Sequence, residues 1–360
     1  MANFPLPPGS TIGVLGGGQL GRMLAEAASR LGFDVAVLER SADSPAGRVA
    51  KTLFVAPYDD AAALKQLAEA SDVVTYEFEN VPAAALETLA RLGVEVAPSA
   101  TALAVAQDRG DEKAFLNAQG VATVAFALAA TPEEAAKAVA KIGVPCLMKT
   151  RREGYDGKGQ RWVEQVGDAE AVFQALGGRP VIVEARADFV RELSVIAARG
   201  RDGAIVCYPL AENHHEGGIL RRSLAPVAAP ASVADQAERI AHKILSGLDY
   251  VGVVGVELFE LADGKLLVNE IAPRVHNTGH WTQDGCEVDQ FEQHVRAVAG
   301  WPLVPARTIA RVEMLNLLGD EVDGWRRFAA EPETRIHLYG KRDAKPGRKM
   351  GHINRVKPLR

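Results

Sequence analysis

Short apolar runs at residues 12–15, 35–38, 53–55, 73–75 and 94–96 alternate with longer stretches of helical periodicity. That rhythm predicts βαβ units, so residues 1–105 read as a Rossmann-like domain on a parallel sheet. Strands are expected next at 123–128 and 145–149, flanking a helix marked at both ends. Thr131 is placed to cap it, Pro132 to open its first turn, Glu134 to complete a capping box and Gly143 to stop it. From 181 to 272 strands predominate, broken by one long helix near 232–246, which is an α+β pattern. After Trp301 the chain is short and ends rich in Gly, Lys and Arg. Three parts result: an α/β domain at 1–105, an α+β domain at 106–300 whose section 123–188 forms a subdomain, and a small C-terminal domain at 301–360.

Composition narrows the function classes. With 48% apolar and 24% charged residues over 360 positions, a folded protein with more than one core is expected. A net charge of −5 gives no bulk attraction to nucleic acid or anionic membrane, so any anion site must come from local clusters. Cys146, Cys207 and Cys286 are odd in number and form no C-x-x-C pair, against a disulfide framework or a thiolate zinc site. The opening MANFPLPPGS lacks the basic and apolar regions of a secretory signal, and no apolar run reaches a membrane span. These features predict a cytoplasmic protein.

Three stretches carry candidate chemistry. Gly16-Gly17-Gly18-Gln19-Leu20-Gly21 satisfies G-x-G-x-x-G between a strand and a helix, and Glu39 ends the next strand, where a ribose-binding acid sits in a dinucleotide fold. Three readings stand side by side: a nicotinamide dehydrogenase site, glycines serving only a tight turn and close packing, or a helix N-terminus that holds a monophosphate. The second stretch contains Asp263-Gly264, a two-residue hairpin signal. With those residues as the loop, Ala262 pairs with Lys265 and Glu257 falls opposite Glu270; Phe259, Leu261, Leu266 and Val268 then share their face. Two carboxylates on an apolar face repel unless a cation joins them, and magnesium is commonly held by one or two carboxylates plus phosphate. The third stretch places Lys149 at the end of an apolar strand, followed by Gly154, Gly157 and Gly159 with Asp156 and Lys158 between them. This is no Walker A loop, yet its amides can close over phosphates, with Lys149 as a point charge.

Together with GGGQLGRM, YEFENVP, QDR..EK, GYDGKGQ, NEIAPRVHNTGHWT and PGRKMGHIN, which occur in order along nearly the whole chain, these stretches resemble the ATP-grasp superfamily. Within it they are most similar to the N5-carboxyaminoimidazole ribonucleotide synthetases of purine synthesis. The resemblance implies an ATP-grasp architecture: a Rossmann-like pre-ATP-grasp domain, an ATP-grasp domain with a lid and a small C-terminal domain. It implies that 5-aminoimidazole ribonucleotide, bicarbonate and ATP give the N5-carboxylated nucleotide, ADP and phosphate through carboxyphosphate, with two magnesium ions, in a homodimer.

By the same resemblance, Arg109, Lys113 and Lys149 contact ATP, and Gly154, Tyr155, Asp156, Gly157, Lys158, Gly159 and Gln160 cover its phosphates. Tyr155 and Asp156 reach toward the acceptor. Glu184, Ala185, Arg186 and Ala187 form the adenine hinge, Glu192 holds the ribose, and His215 and Asn269 lie beside the nucleotide. Glu257 and Glu270 ligate magnesium. Gln19, Leu20 and Glu79 contact the ribonucleotide, while Arg274, His276 and Asn277 serve its imidazole end and bicarbonate. Lys341, Arg348 and Lys349 clamp its 5′-phosphate. Position 153 holds Glu where many relatives hold Gly, which stiffens the loop start, and the chain stops soon after Asn354 where many relatives add a helix. Formyl transfer to glycinamide ribonucleotide, a nicotinamide oxidoreductase and a non-catalytic nucleotide-binding protein are the competing readings.

Overall fold

The computed structural model describes residues 3–154 and 157–359. Its first sheet consists of β1 (Thr11–Leu15), β2 (Asp34–Glu39), β3 (Thr52–Val55), β4 (Val73–Tyr76) and β5 (Glu95–Val96), all parallel in the order β3-β2-β1-β4-β5. Helices Gln19–Arg30, Ala61–Ala70 and Ala83–Arg91 connect the strands, and the second is capped by Asp60, whose carboxylate accepts from Ala63 N at 2.8 Å. Helices on the faces explain why β1 and β4 are continuous apolar runs rather than alternating ones. The strand order reverses between β1 and β4, so the C-terminal ends of these strands open a crevice where helix Gln19–Arg30 begins.

The second sheet is antiparallel, with β6 (Phe126–Ala129), β7 (Cys146–Thr150), β8 (Gln160–Val163) and β9 (Val181–Ala185) in the order β6-β9-β7-β8. Residue 123 lies outside β6 and makes an isolated bridge to Val268 instead. Helix Pro132–Ile142 starts as expected, with Thr131 Oγ1 accepting from Glu134 N at 3.2 Å. The Glu134 carboxylate, however, reaches back one residue further than a capping box, to Ala130 N at 2.7 Å. Gly143 ends the helix with φ +89°, a conformation open to glycine at little cost.

The third sheet has nine strands: β10 (Phe189–Arg199), β11 (Ile205–Cys207), β12 (Ala211–Glu216), β13 (Ile219–Ala225), β14 (Gly252–Leu261), β15 (Leu266–Ala272), β16 (Ala310–Leu318), β17 (Thr334–Leu338) and β18 (Lys349–Pro358). Its order is β15-β14-β10-β12-β13-β16-β18-β17, with β11 beside β10. The last segment therefore extends the central sheet through the β13–β16 pairing and has no sheet of its own.

Helix Ala231–Gly247 buries Val233, Ala237, Ile240, Ile244 and Leu245 against Leu193, Val256, Leu258, Leu266 and Val268 on one face of this sheet. Each Val, Leu or Ile side chain among them contributes about 1.5–3 kcal/mol on leaving water. On the other face, Trp281, Phe291, Val295 and Val298 share a core with Val14, Leu24 and Phe33 of the parallel-sheet domain. Leu6 N donates to Ala299 O and Trp301 Nε1 to Leu6 O, both at 2.8 Å, which ties the N-terminal strap to the same junction.

Candidate active site

The site is built on the β14–β15 hairpin. Glu257 pairs with Glu270, as expected, but by another route. The loop holds three residues, not two, because Leu261 N donates to Lys265 O and Gly264 N to Leu261 O, both at 2.9 Å. That offset is cancelled by a bulge at Asn269, since Leu258 pairs with Val268 while Glu257 pairs with Glu270. The bulge also corrects the expected faces. Leu266 and Val268 point into the helix-covered core with Leu258, and Leu267 is the residue opposite Phe259 on the carboxylate side.

The two carboxylates differ in their surroundings. Burial pushes the Glu257 carboxyl up to about 7, and the neighbouring Glu270 charge adds to the rise. Burial also works against ionisation of Glu270, but Arg109 outweighs it and holds that group at about 2. Arg109 Nη1 lies 2.9 Å from Glu270 Oε2, and Asn269 Nδ2 donates to Glu257 Oε2 at 3.3 Å. These hard oxygen donors suit magnesium. Among the described residues no group of three or more His, Cys, Asp or Glu gathers as a metal site, so remaining ligands would have to come from phosphate and water.

Cations and lid residues close in from two sides. Lys149, at the end of β7, and Lys113, from helix Arg109–Ala118, reach Glu184 of β9 at 2.6 and 3.1 Å. Burial lowers the Lys149 pKa, and the paired Glu184 carboxylate opposes that shift. Lys113 also donates to Asn269 O at 3.2 Å and is 1% exposed. The lid begins where Arg151 Nε bonds Asp108 Oδ1 at 2.8 Å, and Asp108 in turn caps helix Arg109–Ala118 through Gly110 N at 2.9 Å. Gly154 O accepts from Arg109 Nη2 at 3.4 Å, so the loop start shares a cation with Glu270. Gly157 and Gly159 have φ +75° and +73°, and a Cβ at Gly157 would meet Gly217 O at 2.8 Å. Glu153 adopts φ +64°, a left-handed conformation that favours glycine. Tyr155 and Asp156 lie outside the described residues.

The expected nucleotide-side pair Glu192 and His215 are mutual partners across β10 and β12, His215 Nδ1 lying 2.5 Å from Glu192 Oε2. Burial lowers the His215 pKa, but the Glu192 and Glu257 carboxylates together raise it above the ordinary value. His214, the strand neighbour of His215, points outward, and Asn213 is committed to Ser194 and Ser223 at 2.9 and 2.7 Å. On the acceptor side Arg274 pairs with Glu79, so two residues expected at the ribonucleotide hold each other. His276 sits with Nε2 3.8 Å from Glu257 Oε1, and burial, reinforced by Arg274, drives its pKa down to about 3. Gln290 grips the His276 peptide on both sides, at 2.8 Å to its N and 2.7 Å to its O. Asn277 exchanges amide bonds of 3.0 and 2.7 Å with Asn316 of β16. Glu79, Arg109, Gly154, Glu270, Arg274 and His276 thus line one cleft. At its C-terminal side Lys341 Nζ donates to Lys349 O at 2.7 Å, Arg348 Nη1 to Asp343 O at 3.0 Å, and the Lys349 charge is felt at His215 and His276.

The front glycine loop is closed by its own carboxylates. Glu39 accepts from Gly17 N at 2.6 Å and Tyr58 Oη at 2.8 Å. Glu77 accepts from Gly18 N at 2.9 Å and Gly21 N at 3.0 Å. Adding a Cβ at Gly17 or Gly18 would bring it within 2.6 Å of Glu39 or 2.7 Å of Glu77. The glycines therefore serve turn and packing, and the three amides are not left for a pyrophosphate. Gln19 and Leu20 open the helix beside them. Among the buried acids that carry no role in the sequence reading are Glu77 and Glu112, the latter signalled by its place directly before Lys113 in QDR..EK.

Residues 10–107 match the ribonucleotide synthetase preATP-grasp domain, 114–291 the ATP-grasp domain and 313–359 the phosphoribosylaminoimidazole carboxylase C-terminal domain. A curated relative from Brucella melitensis, N5-carboxyaminoimidazole ribonucleotide synthase, is 48% identical over 360 residues, covering 99% of each chain. The chain belongs to this family. A crystal structure of an ADP complex of such a synthetase superposes with TM-score 0.95 at 38% identity, covering 99% of this chain and 94% of that one. A synthase from Aspergillus clavatus, in complex with ADP and 5-aminoimidazole ribonucleotide, superposes with TM-score 0.90 at 35% identity, covering 98% and 94%. The pre-ATP-grasp, ATP-grasp and C-terminal parts expected of a synthase are all present in sequence and in fold.

Proposed function

We propose that this synthase uses Mg-ATP to join bicarbonate to the amine of 5-aminoimidazole ribonucleotide, giving the N5-carboxylated nucleotide, ADP and phosphate. The observation that carries the reading is the cross-strand Glu257–Glu270 pair: Glu270 lines a cleft that also holds Arg274 and His276, and His276 Nε2 lies 3.8 Å from Glu257 Oε1. A nucleotide phosphate site and an acceptor site then share one wall.

Bicarbonate is a poor electrophile, so one of its oxygens attacks the γ-phosphorus and the bond to the ADP oxygen breaks. The amine nitrogen next captures the carboxyl carbon of carboxyphosphate, or the CO2 it releases, while the carbon–oxygen bond to phosphate breaks and phosphate leaves. Glu257 and Glu270 would hold magnesium, which supplies charge neutralisation at the phosphates when bound. Arg109 and Lys149 are suited to stabilise the transferring phosphoryl group, and Lys113 and Asn269 border that position. The glycine loop with Gly154, Lys158 and Gln160 would exclude water from the phosphates, and the family resemblance assigns Tyr155 and Asp156 to the acceptor. Glu184, Ala185, Arg186 and Ala187 carry adenine, and Glu192 with His215 the ribose. His276, whose pKa burial drives down to about 3, is a neutral ring that can hydrogen-bond bicarbonate or the amine, beside Arg274 and Asn277. Gln19, Leu20, Glu79, Lys341, Arg348 and Lys349 orient the ribonucleotide.

The reading includes a cytoplasmic homodimer without nucleic-acid or membrane partners. Three free cysteines and a net charge of −5 agree with it, and among the described residues no helix is long and apolar enough to cross a membrane. The test is ADP release with each co-substrate omitted in turn. Full turnover with aminoimidazole ribonucleotide and bicarbonate is expected; turnover with glycinamide ribonucleotide and formate instead would overturn the assignment.

A further inference from the structure

Glu270 stands on β15, the outermost strand of the large sheet. An edge strand has one row of peptide groups with no partner in the sheet. Here the problem is sharper, because the bulge at Asn269 interrupts the ladder immediately before Glu270. Helix Arg109–Ala118 covers this edge. Glu112 Oε1 accepts from Ile271 N at 2.6 Å, and Lys113 Nζ donates to Asn269 O at 3.2 Å. The peptides on either side of Glu270 are thus held by consecutive residues of one helix, an acid for the N–H and a base for the carbonyl. Arg109, one turn earlier, bonds the Glu270 carboxylate itself. Glu112 and Lys113 are 2% and 1% exposed. Charged side chains are rarely buried so deeply unless each has a defined partner.

We propose that Glu112 and Lys113 are positioning residues that splint the bulged edge strand and so fix Glu270 for the cation of Mg-ATP. The inference rests on the magnesium reading above. It assigns Glu112 a role through Glu270, and it gives Lys113 a backbone partner distinct from any ATP contact. What the splint requires of Glu112 is an acceptor of the right length. Glutamine keeps that acceptor; methionine fills the volume without it; aspartate is one methylene too short.

The test uses the full-length protein with ADP and Mn2+, following loss of the free-Mn2+ electron paramagnetic resonance signal. Glu112→Met is expected to weaken Mn2+ binding about 10-fold or more, the range seen when groups supporting metal ligands are removed. The Mg2+ concentration for half-maximal turnover should rise by a similar factor, with the ribonucleotide KM unchanged. Glu112→Gln should bind Mn2+ like the parent. If Glu112→Met does not fold, Glu112→Asp carries the same expectation. Equal Mn2+ binding by parent and acceptor-less variant would overturn the splint alone, as would a Glu112→Gln defect as large as that of Glu112→Met. Failure of the parent to bind Mn2+ with ADP would overturn the magnesium reading, and the splint with it.

Discussion

Replacing Glu257 with glutamine should make the metal-free protein more stable while abolishing turnover. Burial, aided by Glu270, raises the Glu257 carboxyl from 4.5 to about 7. The folded chain therefore keeps this proton to higher pH than the unfolded chain does. Stability is fully present below pH 4.5, is lost as pH climbs toward 7, and stays lost above it. Linkage puts the loss at about 3 kcal/mol at pH 8 and about 1 kcal/mol at pH 5. An amide in place of the carboxyl cannot ionise, so the loss disappears. For a chain of this length, with an unfolding entropy of about 2.1 cal/mol/K per residue, the Tm gain is about 4 °C at pH 8 and about 1 °C at pH 5. The assay is thermal unfolding in EDTA at both pH values, beside a turnover assay in Mg-ATP. A Glu257→Gln protein no more stable than its parent at pH 8 would refute the claim that two carboxylates share a buried face. Undiminished turnover would refute the metal role.

Two further outcomes are expected elsewhere in the molecule. Arg348→Ala should raise the ribonucleotide KM by about 10-fold or more, the worth of a charge-assisted phosphate contact, with kcat retained; steady-state kinetics check this, and a pure kcat loss would contradict the clamp role. His294 is buried with Nδ1 accepting from Val253 N at 3.1 Å and Nε2 facing Thr75 Oγ1 at 2.8 Å, and burial lowers its pKa to about 4. A lowered histidine contributes stability that is present above pH 6.5 and lost as pH falls, about 2 kcal/mol of it by pH 5. His294→Gln should flatten that part of the pH–stability profile, measured by urea unfolding; an unchanged acid slope would contradict it.

Much of the fold was legible because its signals are local. The five parallel strands announce themselves as apolar runs, and the helix after Thr131 carries its cap, its proline and its terminal glycine in sequence. The carboxylate pair is legible from the hairpin signal because a loop of three residues and a bulge at Asn269 shift the register in opposite directions and cancel. Neither a three-residue loop after Leu261 nor a bulge at Asn269 has a residue-type signature strong enough to read alone. The ambiguity at the front glycines was real in sequence, since nothing local says that Glu77, some 60 residues away, will occupy their amides. Long-range partners are equally absent from local pattern: Asn316 on Asn277 and Glu112 on Ile271 join segments far apart in the chain. The joining of the C-terminal strands to the large sheet is likewise absent from local pattern, because their pairing to β13 depends on a partner nearly a hundred residues earlier.

The central claim is that ATP is spent on bicarbonate before the carbon reaches the amine. Brief incubation with [18O]bicarbonate, ATP, Mg2+ and aminoimidazole ribonucleotide tests it directly, with the released phosphate analysed by mass. Transfer of the γ-phosphoryl group to a bicarbonate oxygen predicts one 18O atom in each phosphate formed. Phosphate without 18O, its fourth oxygen taken from solvent, at the same rate of ADP release, would contradict the acyl-phosphate route.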